Sequence, residues 1–159
     1  MKSIKKMLLT IVVIGATSLT SCSFFEGSAK HREMGTPIAS TKAAVEKIMA
    51  DTEGNEDKRF SITGYLGFSA TMSVYTNRPQ MVYVYSEPGE ESIATIEMHW
   101  SENGTNSVFV PQDGGGDESK TIFYDNDGKP LSMNDKVTVS FSVSDQSTDL
   151  VETRIDRVQ

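Results

Sequence analysis

Residues 59–68 read Arg-Phe-Ser-Ile-Thr-Gly-Tyr-Leu-Gly-Phe (RFSITGYLGF). Successive side chains in a strand point to opposite sides, so Phe60, Ile62, Leu66 and Phe68 share one face and Ser61, Thr63, Tyr65 and Gly67 the other. The stretch is a strand with an apolar face for a core and a polar face for solvent. Gly64 falls on the apolar face and Gly67 opposite it. Glycines inside a strand mark bends, bulges or places where another backbone comes close, as at the corners of a small barrel.

The same period of two recurs downstream. Gln80–Tyr85 (QMVYVY) is rich in β-forming residues, and Ala94, Ile96, Met98 and Trp100 alternate with Thr95, Glu97 and His99. Val137, Val139, Phe141 and Val143 alternate with Thr138, Ser140 and Ser142, and residues 151–158 (VETRIDRV) supply a closing strand. Shorter runs at residues 72–75, 107–110 and 121–124 add a hairpin or lengthen neighbours, while 111–120 (PQDGGGDESK), with three consecutive glycines, predicts a mobile loop. Ahead of the first strand the period is helical. Thr36-Pro37 supplies a cap and a first-turn proline, and Ile38, Thr41, Ala44, Val45, Ile48 and Met49 recur at spacings of three and four. This predicts a helix within residues 37–51, stopped by the acidic, turn-rich DTEGNED of residues 51–57. No internal repeat is visible. A single mainly β domain over residues 37–159, opened by one helix, is expected.

The order of a helix, a glycine-kinked first strand, two further strands, the turn DGKPLSMNDKVTVSF and a last strand ETRIDRV resembles the OB-fold, especially the small OB-fold domains of exported bacterial proteins. In those domains a turn bearing Gly or Asn leads a strand such as Asn134-Asp135-Lys136-Val137-Thr138-Val139. The likeness covers residues 57–159 and implies a small OB-fold-like barrel. Members of that group often carry a helix between their third and fourth strands, where this chain has the glycine-rich residues 101–120. That departure keeps an immunoglobulin-like β-sandwich as the alternative.

The N-terminus carries a different message. Lys2, Lys5 and Lys6 precede an uncharged, mostly apolar run at residues 7–19 (MLLTIVVIGATSL), the length of a secretory signal and too short to span a bilayer as a helix. The only cysteine of the chain, Cys22, follows at once. A lone free thiol is poorly suited to an oxidising compartment, and a single cysteine excludes an internal disulfide and any multi-cysteine zinc site. Leu19-Thr20-Ser21-Cys22 resembles the bacterial lipobox. The resemblance implies a signal peptide over residues 1–21, cleavage before Cys22, acylation of its thiol and new amino group, and a flexible tether over residues 22–36. Ser23, rather than Asp, follows the cysteine, which by the same resemblance implies the outer membrane. Residues 23–27 (SFFEG) lack the acidic cluster that resembles a surface-export signal, so the periplasmic face is expected.

Of 15 Lys+Arg and 22 Asp+Glu, the first 21 residues hold three lysines and no acid. The mature chain therefore has 12 basic against 22 acidic residues, a formal net charge near −10. That sign repels phosphate backbones and anionic headgroups, which argues against a nucleic-acid partner and leaves membrane attachment to the acyl chains.

Catalytic signatures are sparse. His31 lies in the tether and His99 on a polar strand face beside Glu97; no GxSxG-type turn accompanies them. The acidic YDNDGKPLSMND has the look of a calcium loop, but aligning Asp125 and Asp127 with its third and fifth positions puts Phe123 first and Asn134 twelfth, without the bidentate carboxylate. A hairpin turn is the better reading, and no metal site, cofactor or catalytic residue is assigned. What remains is aromatic. Tyr83 and Tyr85 share one strand face and Tyr65 lies on the polar face of the first strand. On OB-folds the exposed face of the second and third strands commonly carries ligand, so the resemblance implies a binding role for Tyr65, Tyr83 and Tyr85. A membrane-anchored, non-enzymatic binding or interaction module with an envelope protein or glycan partner is expected. The alternative is a hydrolase of envelope material using an acid pair such as Glu97 and Asp125.

Overall fold

In the computed structural model, residues 32–69, 78–102, 104–111 and 118–158 are described. Among them the elements are β1 (Thr36–Pro37), α1 (Lys42–Met49), β2 (Phe60–Gly67), β3 (Gln80–Tyr85), β4 (Ser92–Trp100), β5 (Ser107–Phe109), β6 (Ile122–Tyr124), β7 (Pro130–Leu131), β8 (Lys136–Ser142) and β9 (Val151–Arg157). The sheet order is β7-β6-β5-β4-β3-β2-β8-β9, with β1 beside β2.

The glycine-bearing strand organises the sheet. Residues Phe60 to Tyr65 of β2 pair antiparallel with β8, whereas only Tyr65 to Gly67 pair with β3; the first two residues of β2 are paired instead by β1, in parallel. The strand thus passes from one half of the sheet to the other, with Tyr65 shared by β8 and β3. Gly64 makes this possible. A Cβ there would sit well inside van der Waals contact of the Tyr85 carbonyl oxygen and 3.0 Å from a Val84 methyl. Beyond β4 the sheet comes back on itself: the Leu150 N–H donates to the Thr95 carbonyl at 3.1 Å, and Leu150 bridges Ile96 in parallel. The five long strands run β4-β3-β2-β8-β9 and return to β4 through that parallel contact, a nearly closed barrel of OB-fold type. One curled sheet replaces the two facing sheets that a sandwich requires.

The core is what the period of two selects. Ile62, Val82, Val84, Ile96, Met98, Val137, Val139, Phe141 and Ile155 are buried inside the barrel. The two ends are closed differently. At the end where β2 and β4 begin, α1 contributes the buried Val45, with Ile38, Ile48 and Met49 packed beside it. At the other end β5, β6 and β7 continue the sheet from β4, and Phe123 of β6 stacks on Phe68 with ring centres 5.6 Å apart. These short strands occupy the slot between third and fourth barrel strands where the resemblance implied a helix.

Several boundaries differ from expectation. The helix starts at Lys42, capped by Thr41, whose Oγ1 accepts from the Ala44 N–H at 3.3 Å, and not at Thr36-Pro37. Thr36 and Pro37 are instead extended as β1: the Thr36 N–H donates to the Arg59 carbonyl and the Ile38 N–H to the Ser61 carbonyl, each at 2.9 Å. A proline is compatible with this parallel edge because it gives up a donor the edge does not use. Residues 32–36, assigned by sequence to the tether, lie against the barrel. The Gly35 N–H donates to Ser140 Oγ at 3.0 Å, Arg59 donates to the Glu33 carbonyl at 2.9 Å, and Arg154 donates to the Arg32 carbonyl at 2.8 Å. The run at residues 72–75, most of the glycine loop, and all of residues 1–31 with Cys22 and His31 lie outside the described residues.

Helix α1 is also tied to the start of β4 by an exposed ion pair between Lys42 and Glu91. The hydrogen bond between them, reinforced by their charges, holds the Glu91 carboxyl below and the Lys42 ammonium above their ordinary values. The pair therefore stabilises the fold above the unfolded carboxylate pKa and below the unfolded lysine pKa, and is lost as pH falls through the Glu91 value or rises through that of Lys42. A double-mutant cycle on Lys42 and Glu91 is expected to show favourable coupling at neutral pH and none in acid or high salt. Gly64→Ala is expected to lower unfolding free energy in urea by about 1–3 kcal/mol, since backbone must move to admit the methyl. Gly67→Ala should cost less, because its Cβ meets only the edge of the Tyr85 ring, at 3.1 Å.

Candidate ligand-binding face

Because Val82 and Val84 of β3 point into the core, Met81, Tyr83 and Tyr85 point out. The register sets their neighbours. Tyr65 on β2 lies opposite Tyr85, Gly67 opposite Tyr83, and Tyr83 in turn opposite Thr95 on β4. Met81 lies opposite Glu97. All three sequence-predicted tyrosines therefore share one continuous outer face, each half-buried.

They are not equivalent. The Tyr85 hydroxyl donates to the Phe68 carbonyl at 3.1 Å, and its ring lies over Gly67, where the missing side chain leaves room. Tyr85 is thus pinned flat against the sheet. Tyr83 packs at a tilt against it, ring centres 6.3 Å apart and planes at 41°, and its hydroxyl has no hydrogen-bond partner among the described residues. Tyr65 is covered from the other side by Lys136, which faces it across the β2–β8 pairing; the ammonium sits 5.4 Å from the ring centre. The same ammonium lies 3.6 Å from the Glu87 carboxylate. A platform of three rings and one cation results, with only the Tyr85 hydroxyl bonded to the described protein. Such a surface can stack on a flat or ring-shaped ligand and hydrogen-bond its edge. Met81 was legible in the alternation of QMVYVY, but Lys136 was not, because its place over Tyr65 follows from a pairing between strands 71 positions apart.

Glu97 and His99 are exposed on the outer face of β4, as their alternation predicts, and line a shallow cleft against the β8–β9 connection. Asp125 does not join them. It is buried in the turn between β6 and β7, where its Oδ1 accepts from the Asp127 N–H at 2.9 Å and the Lys129 N–H at 2.8 Å. The YDNDGK segment is accordingly a hairpin turn, in which one oxygen of the Asp125 carboxylate is committed to backbone amides, and Asp125 does not line the cleft that holds Glu97. No cluster of three or more His, Cys, Asp or Glu side chains suited to a metal ion occurs among the described residues. In comparisons with known proteins, no family model, no curated protein and no solved structure matches this chain.

The difference between the two β3 tyrosines is measurable. Tyr83→Ala removes a ring pair and is expected to cost about 1 kcal/mol of unfolding free energy. Tyr85→Ala should cost clearly more, because it also strips the Phe68 carbonyl of its donor and uncovers the backbone at Gly67. Urea denaturation of the two variants beside the parent protein checks the order.

Proposed function

We propose that this chain is a bacterial envelope lipoprotein, anchored through acyl chains on Cys22, whose barrel is a non-enzymatic binding or interaction module for an envelope protein or glycan. The observation that carries the binding half is the common outer face of Tyr65, Tyr83 and Tyr85, with Tyr83 free to engage a partner and Lys136 beside it. The anchoring half rests on the sequence: a positive head, an apolar run, and Leu19-Thr20-Ser21-Cys22. Among the described residues no helix is long and apolar enough to cross a membrane. Two or three acyl chains, at about 0.8 kcal/mol per buried CH₂, hold far more firmly than a single reversible one.

Outer-membrane placement on the periplasmic side belongs to the same proposal and follows from Ser23. The mature charge near −10 sets nucleic acid aside as a partner and favours neutral or basic ones. The docking of residues 32–36 on the barrel leaves ten residues from Cys22 to Arg32, a reach of at most about 35 Å when fully extended. A binding face held at that distance meets partners in or close to the membrane surface.

Fractionation of cells expressing the full chain tests the anchor. The parent protein is expected in the membrane pellet and Cys22→Ala in the soluble fraction. Pelleting of Cys22→Ala in amounts equal to the parent contradicts lipidation.

A further inference from the structure

Between the outer face of β4 and the connection from β8 to β9 lies a cleft of about 160 Å³. It is smaller than the pockets that hold drug-sized molecules and suits a ligand of few heavy atoms. Its walls bring together groups of both signs: Glu97 and His99 from β4, Arg32 from the segment ahead of β1, and Asp149 and Glu152 from the β8–β9 side.

These groups are unevenly committed. The Glu152 carboxylate is answered outside the cleft, 3.5 Å from the Arg59 guanidinium and 3.4 Å from the Ser142 hydroxyl, and Arg59 also donates to the Glu152 carbonyl at 2.9 Å. The carboxylates of Glu97 and Asp149 and the imidazole of His99 have no side-chain hydrogen bond or ion pair among the described residues. Arg32 uses one nitrogen, donating from Nη1 to the Thr153 carbonyl at 3.1 Å. Its guanidinium is half-buried, and that burial holds its pKa below the ordinary arginine value, against the raising effect of Glu152. A guanidinium so placed remains charged and keeps four N–H donors that the described protein does not satisfy. Two open carboxylates and one open guanidinium therefore face a shared space without pairing, for a net charge of about −1 from these three groups.

The backbone around the cleft is also unusual. Two of the three non-glycine residues with positive φ among those described, Asn106 at 48° and Glu152 at 51°, line it. Glu152 lies at the irregularity where β9 pairs β8 between Ser140 and Ser142, so the bulge re-aims the cleft wall. Left-handed backbone is strained for a residue such as Glu and persists where surrounding contacts impose it. Here the Arg59 clamp on Glu152 does so, and the Asn106 amide is fixed by the Ile155 N–H, which donates to its Oδ1 at 2.7 Å, and by its own donation to Asn126 at 3.0 Å.

We infer that this cleft binds a small amphoteric ligand, an amino acid or short peptide carrying a free ammonium group, with Glu97 and Asp149 taking the ammonium and Arg32 the carboxylate. The net charge of the open groups favours a ligand with one more positive than negative charge, so a lysine-like diamino compound fits better than an acidic one. The site adjoins the tyrosine face, because Glu97 lies two residues along β4 from Thr95, which faces Tyr83, and it does not depend on the lipid anchor.

Titration of the detergent-solubilised full chain with free lysine, followed by amide chemical shifts, tests the inference, with glutamate as comparison. Saturable shifts at residues 147–153 and 97–99 are expected, with a dissociation constant on the order of 1 mM or tighter, and glutamate at least about tenfold weaker. Glu97→Gln removes an exposed charge with no structural partner, so it should leave the melting temperature unchanged and weaken lysine about tenfold, as should Asp149→Asn. Absence of saturable shifts in the cleft, equal affinity for glutamate, or lysine binding untouched by Glu97→Gln overturns the inference.

Discussion

The close approach of the Tyr85 carbonyl to Gly64 is the constraint on which the rest of this barrel depends. Without a side chain at residue 64, β2 can turn from its pairing with β8 into its pairing with β3 inside one continuous strand. The same turn sets Tyr65 opposite Tyr85 on one side and Lys136 on the other. Fold and tyrosine face thus share a cause, and the tyrosine platform exists because the strand beneath it is bent.

Apart from its ladder with β8, β9 is joined to the rest of the barrel by few backbone bonds and several side chains. Asn106 accepts from the Ile155 N–H, the Asn126 N–H donates to the Ile155 carbonyl at 2.7 Å, and Arg32 donates to the Thr153 carbonyl. Buried β9 backbone is thereby satisfied where no full ladder reaches it. Arg59 and Arg154 hold the segment ahead of β1 in the same region. Burial lowers the Arg59 pKa, whereas the hydrogen bonds Arg154 donates to the Asp156 carboxylate raise that of Arg154, so one is a desolvated clamp and the other a neutralised one. The N-terminal segment therefore acts as part of the barrel, and a lipid tether would leave from the seam.

How much of this was legible in the sequence depended on range. Strands β2, β3, β4, β8 and β9 follow from a local period of two, and QMVYVY matches β3 residue for residue. The helix start was misplaced because Thr36-Pro37 satisfies the local rules for a cap, while the competing partner, the backbone of Phe60 and Ser61, lies more than twenty residues away. The β7 strand, two residues long, offers no period to detect. Asp125 looked like an available acid because its consumption by the Asp127 and Lys129 amides depends on turn geometry. The tyrosines could be assigned to faces from alternation, but their meeting, and the arrival of Lys136 over Tyr65, required the register. Arg32 was hidden most completely, since polar sequence ahead of a domain reads as linker until the residues that receive it are known.

The proposed module needs a stable scaffold, an exposed recognition surface and a fixed position in the envelope. The barrel provides the first, and the account assigns the second to Tyr83 and its neighbours and the third to Cys22. The most direct test is photo-cross-linking in intact cells, with the lipidated full chain carrying a photoreactive residue at position 83 and, as control, at the exposed Lys47 of α1. The account predicts one reproducible envelope adduct from position 83 that is absent from position 47. Adducts identical from both positions, or none from position 83, would contradict a binding role for the tyrosine face.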